Sequence, residues 1–286
     1  MNFLIQKYSD RMLFLPTSLC AAHCLYCFRQ DVLSENKDRL EPGLDKKLKV
    51  LVQHLRKHPQ TREVILSGGD PLMLSAGDLE KVFAALRDVE TVTDIRVHSR
   101  APVFAPAILS DSKLRLMAES RVRFVFHIIH PYEICEEVAA LITRMRAAGL
   151  RLYNHFPLLR KINDHAQVLR ALIQKLQALE VDTFSIYVPE PLEYSAAYRL
   201  PFRRACKLVD ETRAGLPGWA DFRFCLDTPL GKVGREHLVA QDTASNTLVF
   251  MVEGKRVRYP DFPAEMDEAG DLKTLLWKKE CHPGQA

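Results

Sequence analysis

A chain of 286 residues with 47% hydrophobic and 27% charged content can bury a full core, which excludes a disordered chain and admits one large domain or two small ones. Lysine and arginine number 40 against 36 acidic residues, giving a formal charge of +4 spread along the chain; this argues against a nucleic-acid surface but leaves room for anionic ligands. The opening MNFLIQKYSDR is too polar for a signal peptide and no later apolar run approaches the ~20 residues of a membrane helix, so a cytoplasmic protein off the membrane is expected.

In chain order, strands are predicted over RMLFLP (11–16), EVILS (63–67), DIRVH (94–98), RFVFH (123–127), RLYNH (151–155) and TFSIY (183–187). Amphipathic helices are predicted between them over Leu44–Lys57, Ala76–Val89, Glu133–Ala148 and Gln167–Leu179. This alternation predicts an α/β fold, a partial (β/α)6 TIM-like barrel over residues 1–215, with chemistry at the C-terminal ends of its strands. The pattern changes after Pro217-Gly218. TLVFMV, EGKR and VRYP predict a β-hairpin around Glu253-Gly254, a small appendage within a C-terminal segment 216–286.

The loop CAAHCLYCFR follows the first strand and puts Cys20, Cys24 and Cys27 close together. Soft thiolates suit an iron–sulfur cluster or zinc. Structural zinc would want a fourth ligand; His23 is the obvious candidate but lies inside the loop next to Cys24, and no second C-x2-C pair follows. Cys135, Cys206, Cys225 and Cys281 read as structural. One βα unit later, LSGGDPL carries Ser67, Gly68, Gly69 and Asp70, two glycines that allow close backbone approach and a carboxylate that can receive an ammonium group.

C-x3-C-x2-C with aromatic Phe28 closely resembles the radical S-adenosylmethionine (SAM) superfamily, in which three cysteines hold a 4Fe-4S cluster whose open iron is chelated by SAM. The Gly-Gly-Asp segment is similar to the motif that holds the methionine amino group of SAM. Within that superfamily, KYSDRMLFL, CFR, IRVHSRAPV, HPYEICEE and LLRKIND resemble the lysine 2,3-aminomutase family in order and spacing. The resemblance implies pyridoxal phosphate (PLP), a SAM-derived deoxyadenosyl radical, and migration of an amino group from C2 to C3.

Residue by residue, the resemblance implies that Arg29 pairs with the substrate carboxylate. Lys7, Tyr8, Arg11 and Arg100 would surround the PLP phosphate, Lys7 standing where an arginine is common. His127, or else His130, would lie near SAM. Glu190 and Asp227 would hold a distal ammonium, implying a basic, lysine-like amino acid, and Lys232 would carry PLP as a Schiff base. The run from Asp227 to Lys232 is two residues shorter than the family's glycine-rich loop, and the helical region that usually precedes the cysteines is expected to be missing. Expected partners are the small-molecule amino acid and a reductant such as flavodoxin or ferredoxin; self-association is compatible with the sequence. Two alternatives stay open: a PLP-independent radical SAM enzyme acting on a protein side chain or small molecule, and a non-catalytic zinc-binding protein.

Overall fold

The computed structural model describes residues 3–30, 42–192 and 194–276. Cys281 lies outside the described residues. Strand β1 (Leu4–Tyr8) turns back antiparallel onto β2 (Arg11–Thr17). From β2 the sheet continues in parallel through β3 (Glu63–Gly68), β4 (Asp94–Ser99), β5 (Arg123–Phe126) and β6 (Arg151–Pro157). With β7 (Asp182–Tyr187), β8 (Arg223–Thr228) and β9 (Gly231–Val233) added, the order of strands in the sheet is their order in the chain. All six predicted strands are present.

Helices α1 (Leu44–Lys57), α2 (Ala76–Arg87), α3 (Ala101–Phe104), α4 (Asp111–Glu119), α5 (Glu136–Ala147) and α6 (Ala166–Ala178) fill the connections. Leu48, Leu51 and Leu55 are buried on α1, three and four residues apart, the spacing that puts apolar side chains on one helix face. At α2 the Ser75 hydroxyl caps the first turn, accepting from Asp78 N at 3.0 Å. The helix predicted from Glu133 starts only at Glu136, because Pro131–Glu133 forms a separate 3-10 turn. Along β4 the side chains alternate: Ile95, Val97 and Ser99 are buried, while Arg96 and His98 face the other way. That second face, continued by Arg100, supplies much of the site.

The chain folds as two compact units: residues 1–128, 132–156 and 175–185, and residues 129–131, 157–174 and 186–286. The expected boundary at 215/216 falls inside the second unit. Val188 N donates to Cys225 O at 3.0 Å, which joins the segment after β7 to β8. The core of this unit is Val188, Phe202, Leu226, Val233, Leu248, Phe250, Val257 and Tyr259. Phe202 opens α7 (Phe202–Ala214).

The C-terminal appendage contains the expected hairpin, β11 (Thr247–Val252) with β12 (Lys255–Pro260), closed by Glu253 and Gly254 at φ 47° and 77°. Positive φ at both turn residues is the geometry that suits the right-handed twist of a hairpin. It is not a hairpin alone. A third strand, β10 (Leu238–Asp242), makes a three-stranded antiparallel sheet. Four of its five residues are exposed, so it carries no apolar alternation.

Candidate active site

The site begins where β2 ends. Cys20, Cys24 and Cys27 lie on the loop after Thr17, all half-buried and free of disulfides. A tight turn, with Cys27 N donating to Cys24 O at 3.0 Å, brings two of them together. Burial pushes the Cys20 thiol up, with Asp70, Cys24 and Cys27 adding to the effect. Burial likewise pushes up Cys27, which also senses Cys24. These are three mutually interacting soft donors on a half-covered loop; metal binding there would release protons. The donor set fits an iron–sulfur cluster. Among the described residues no group of three His, Cys, Asp or Glu forms a preassembled mononuclear metal site, and His23 does not complete one.

The Gly-Gly-Asp segment is laced to this loop. Gly69 N donates to Thr17 O at 3.0 Å and Asp70 N to Leu19 O at 2.7 Å. A methyl group on Gly69 would sit 2.5 Å from Ser18 O and 2.6 Å from Leu19 C; on Gly68, whose φ is +114°, it would meet Thr17 O at 2.6 Å. Both glycines are required by this approach of two backbones.

Asp70 differs from its expected part as an open acceptor. Its carboxylate is 2% exposed and accepts from Leu72 N (3.0 Å), Ser99 Oγ (2.8 Å), Arg100 N (2.9 Å) and Ala101 N (2.8 Å). Burial pushes the carboxyl up, and these donors pull it back toward the charged form. Asp70 therefore ties the glycine turn to the end of β4, the point from which Arg100 projects.

Arg100 reaches the cysteine loop. Its Nη1 donates to Cys24 Sγ at 3.2 Å and its Nη2 to Glu133 Oε1 at 2.5 Å. The guanidinium lies 5.2 Å from the Tyr26 ring and 4.9 Å from that of Phe104. Arg29, two residues past Cys27, donates to Ser67 Oγ at 2.7 Å.

The expected phosphate set of Lys7, Tyr8, Arg11 and Arg100 does not assemble. Tyr8 and Arg11 face each other across the β1–β2 turn, Arg11 lying 4.2 Å over the Tyr8 ring and 3.7 Å from Asp10. Arg11 is level with Glu63 and Asp94, the first residues of their strands. Arg100 follows the last residue of β4, a strand length of roughly 20 Å toward the other end of the sheet. Lys7 is exposed on β1, next to half-buried Tyr8. Taken together, the residues assigned to PLP do not fit that group as a single cradle.

Near the cysteines, His127 stacks on Tyr26 with ring centroids 5.8 Å apart, and His155 meets both His127 (5.4 Å) and His98 (4.5 Å) edge-on. His98 and His155 were not singled out from the sequence. The signal was there in the period-two alternation of IRVHSR and RLYNH, which puts both rings on the face of Arg96 and Arg100. Burial pushes His98 and His127 well below the usual histidine value, reinforced by His155, Arg96 and Arg29 at His98 and by His155 and Arg100 at His127. As pH falls through about 6.5, the unfolded chain takes up protons that these two rings refuse. Stability is therefore present above that range and is lost on acidification, by up to about 1.4 kcal/mol per pH unit for each ring. Urea unfolding at about pH 7 and about pH 5.5 should show the loss, and His98→Asn should make it smaller; an equal loss in the variant would rule His98 out as a source.

The second unit holds the remaining expected residues, His130 among them. Lys232 and Asp227 are cross-strand partners on β8 and β9, with Nζ 3.9 Å from Oδ2 and both side chains 34% exposed. Lys232 Nζ also lies 4.9 Å over the Tyr187 ring. The short run between them is a tight hairpin, Thr228 paired with Gly231 at φ +124°, which explains the two missing residues. Glu190 sits close enough to Tyr259 to act on its buried phenol, whose hydroxyl donates to Pro189 O at 3.1 Å. Cys225 is buried, and burial pushes its thiol up to about 11; Cys206, half-buried, is pushed to the same value, as expected of structural cysteines. Cys135 is exposed.

Parallel βα units with three cysteines on the loop after a strand and a glycine-acid turn laced to it define a metallo-cluster protein on a partial barrel. The chain belongs to the radical SAM superfamily, whose family model matches residues 14–173. It is similar to the L-lysine 2,3-aminomutase of Clostridium subterminale, 30% identical over 230 residues that cover 80% of this chain and 54% of that one. The Escherichia coli L-lysine 2,3-aminomutase is 29% identical over 219 residues, 76% of this chain and 63% of that one. The chain thus spans less than two thirds of these relatives. In fold it resembles Streptococcus suis SuiB bound to precursor peptide SuiA, with TM-score 0.58 and 14% identity over 78% of this chain and 50% of that one. A radical SAM methyltransferase from Sphaerobacter thermophilus gives TM-score 0.54 and 16% identity over 78% of this chain and 68% of that one. These structures bear out the mixed α/β barrel-type fold. Among the described residues, no helix is long and apolar enough to cross a membrane.

Proposed function

We propose that this chain is a radical SAM enzyme that moves the 2-amino group of a free, basic amino acid to C3. One observation carries the reading: a three-cysteine loop locked by backbone hydrogen bonds to a Gly-Gly-Asp turn, in a chain similar over four fifths of its length to L-lysine 2,3-aminomutases. When bound, a 4Fe-4S cluster with SAM supplies one electron to the sulfonium and so a carbon radical able to take a hydrogen atom. Cys20, Cys24 and Cys27 would hold that cluster. Gly68 and Gly69 let the turn after β3 close against the cysteine loop, and Asp70 fixes the turn that carries Arg100. Arg29, a planar donor anchored on Ser67, is suited to a substrate carboxylate. Glu190 and Asp227 provide negative charge for a substrate ammonium, Asp227 from within its pair with Lys232. The residues expected to hold PLP are split between the two ends of the sheet.

That split favours a second reading, a radical SAM enzyme that works without PLP. Lys232 separates the two. Protein incubated with PLP and borohydride should carry a reduced adduct on Lys232, and Lys232→Ala should abolish it together with at least about 100-fold of the turnover. Anaerobic incubation with SAM, reductant and a panel of amino acids should yield an isomer of a basic one, read by mass spectrometry and chiral separation. An unlabelled Lys232 with SAM cleavage intact would select the second reading; no isomer from any amino acid would refute the first.

A further inference from the structure

Arg100 is held on every side. Asp70 accepts from its backbone N at 2.9 Å, Glu133 accepts from Nη2 at 2.5 Å, and the Tyr26 and Phe104 rings lie within 5.2 Å of its guanidinium. Its side chain is only 12% exposed, and Nε is covered with no hydrogen-bond partner among the described residues. A guanidinium fixed in this way and out of water is weakly screened. The direction it is left to point in is toward a metal ligand: Nη1 lies 3.2 Å from Cys24 Sγ.

We infer that Arg100 sets the reduction potential of the cluster held by Cys20, Cys24 and Cys27, with Glu133 as the counter-charge that limits the effect. The inference rests on the cluster reading above and not on PLP or on the substrate. Reduction adds one electron from an external reductant and makes the cluster one unit more negative. A cation donating a hydrogen bond to a ligating sulfur stabilises the reduced form more than the oxidised one, so the midpoint rises. Glu133 opposes this from behind the guanidinium. The pair therefore has a sign structure that a packing role lacks.

The test is potentiometric titration of the reconstituted, SAM-free protein with dithionite and mediators, following the reduced cluster by electron paramagnetic resonance. Arg100→Met should lower the reduced-to-oxidised ratio at a fixed potential about tenfold, a fall of about 59 mV for a one-electron couple. Glu133→Gln should shift the midpoint the opposite way by a smaller amount, and Arg100→Lys should lie between the wild type and Arg100→Met. If Arg100→Met does not fold, the opposite displacements of Glu133→Gln and Arg100→Lys decide. Unchanged midpoints, or shifts of one sign in all variants, would overturn the inference while leaving the cluster in place. A wild-type protein that assembles no 4Fe-4S signal would instead remove the cluster reading itself, and this inference with it.

Discussion

Gly69→Ala should cost the protein its cysteine loop. The added methyl group would stand 2.5 Å from Ser18 O and 2.6 Å from Leu19 C, and both are backbone atoms that cannot rotate away. Relief requires moving β3 from the loop, which breaks the bonds from Gly69 N to Thr17 O and from Asp70 N to Leu19 O. Overpacking of this kind costs about 1–3 kcal/mol, and here the strain falls on the segment that ends in Cys20. The expected result is a clear drop in melting temperature and bound iron at roughly a tenth of wild type or less, because about 1.4 kcal/mol against the binding arrangement of the loop already shifts its population tenfold. Gly77→Ala is the control, since its nearest foreign atom, Ser75 Oγ, is 4.0 Å away. Wild-type iron and stability in Gly69→Ala would show that the two backbones need not approach so closely.

Cys24→Ser should abolish the cluster while sparing the fold. Serine oxygen is a hard donor that does not replace a thiolate on iron–sulfur clusters, so iron and sulfide after anaerobic reconstitution should fall to background. Production of 5′-deoxyadenosine should fall by at least about 1000-fold, because the electron has no other route to the sulfonium. Cys24 is half-buried and its Sγ accepts only from Arg100 among the hydrogen bonds described, so circular dichroism should be unchanged. Cys206→Ala and Cys225→Ala should retain full iron, since neither residue lies on the loop of Cys20, Cys24 and Cys27. Iron retained in Cys24→Ser, or lost equally from Cys225→Ala, would refute the assignment of ligands.

Local chemistry was legible in the residues. The βα alternation from RMLFLP to TFSIY gave six strands where they are found, because parallel strands buried under helices need β-branched and aromatic runs that the intervening helices interrupt. The glycines of LSGGDPL announced a close backbone approach, and Glu253-Gly254 announced a hairpin turn; both depend on backbone angles that few other residues adopt. The cysteine spacing put three soft donors on one loop, and the structure has all three there, half-buried and free of disulfides.

What depended on distance in space was not legible. Arg100 looked like one member of a phosphate cluster, but strand direction carries it to the opposite end of the sheet from Tyr8 and Arg11, onto Cys24 and Glu133. Asp70 looked like an open acceptor and is instead filled by donors from β4 and the turn after it. β10, nearly all exposed, had no pattern to read. Sequence encodes which face a side chain takes and how freely the backbone bends, since both are set by nearest neighbours. Which partner a charge finally meets depends on the register and direction of strands far apart in the chain, and that is decided only when the whole sheet closes.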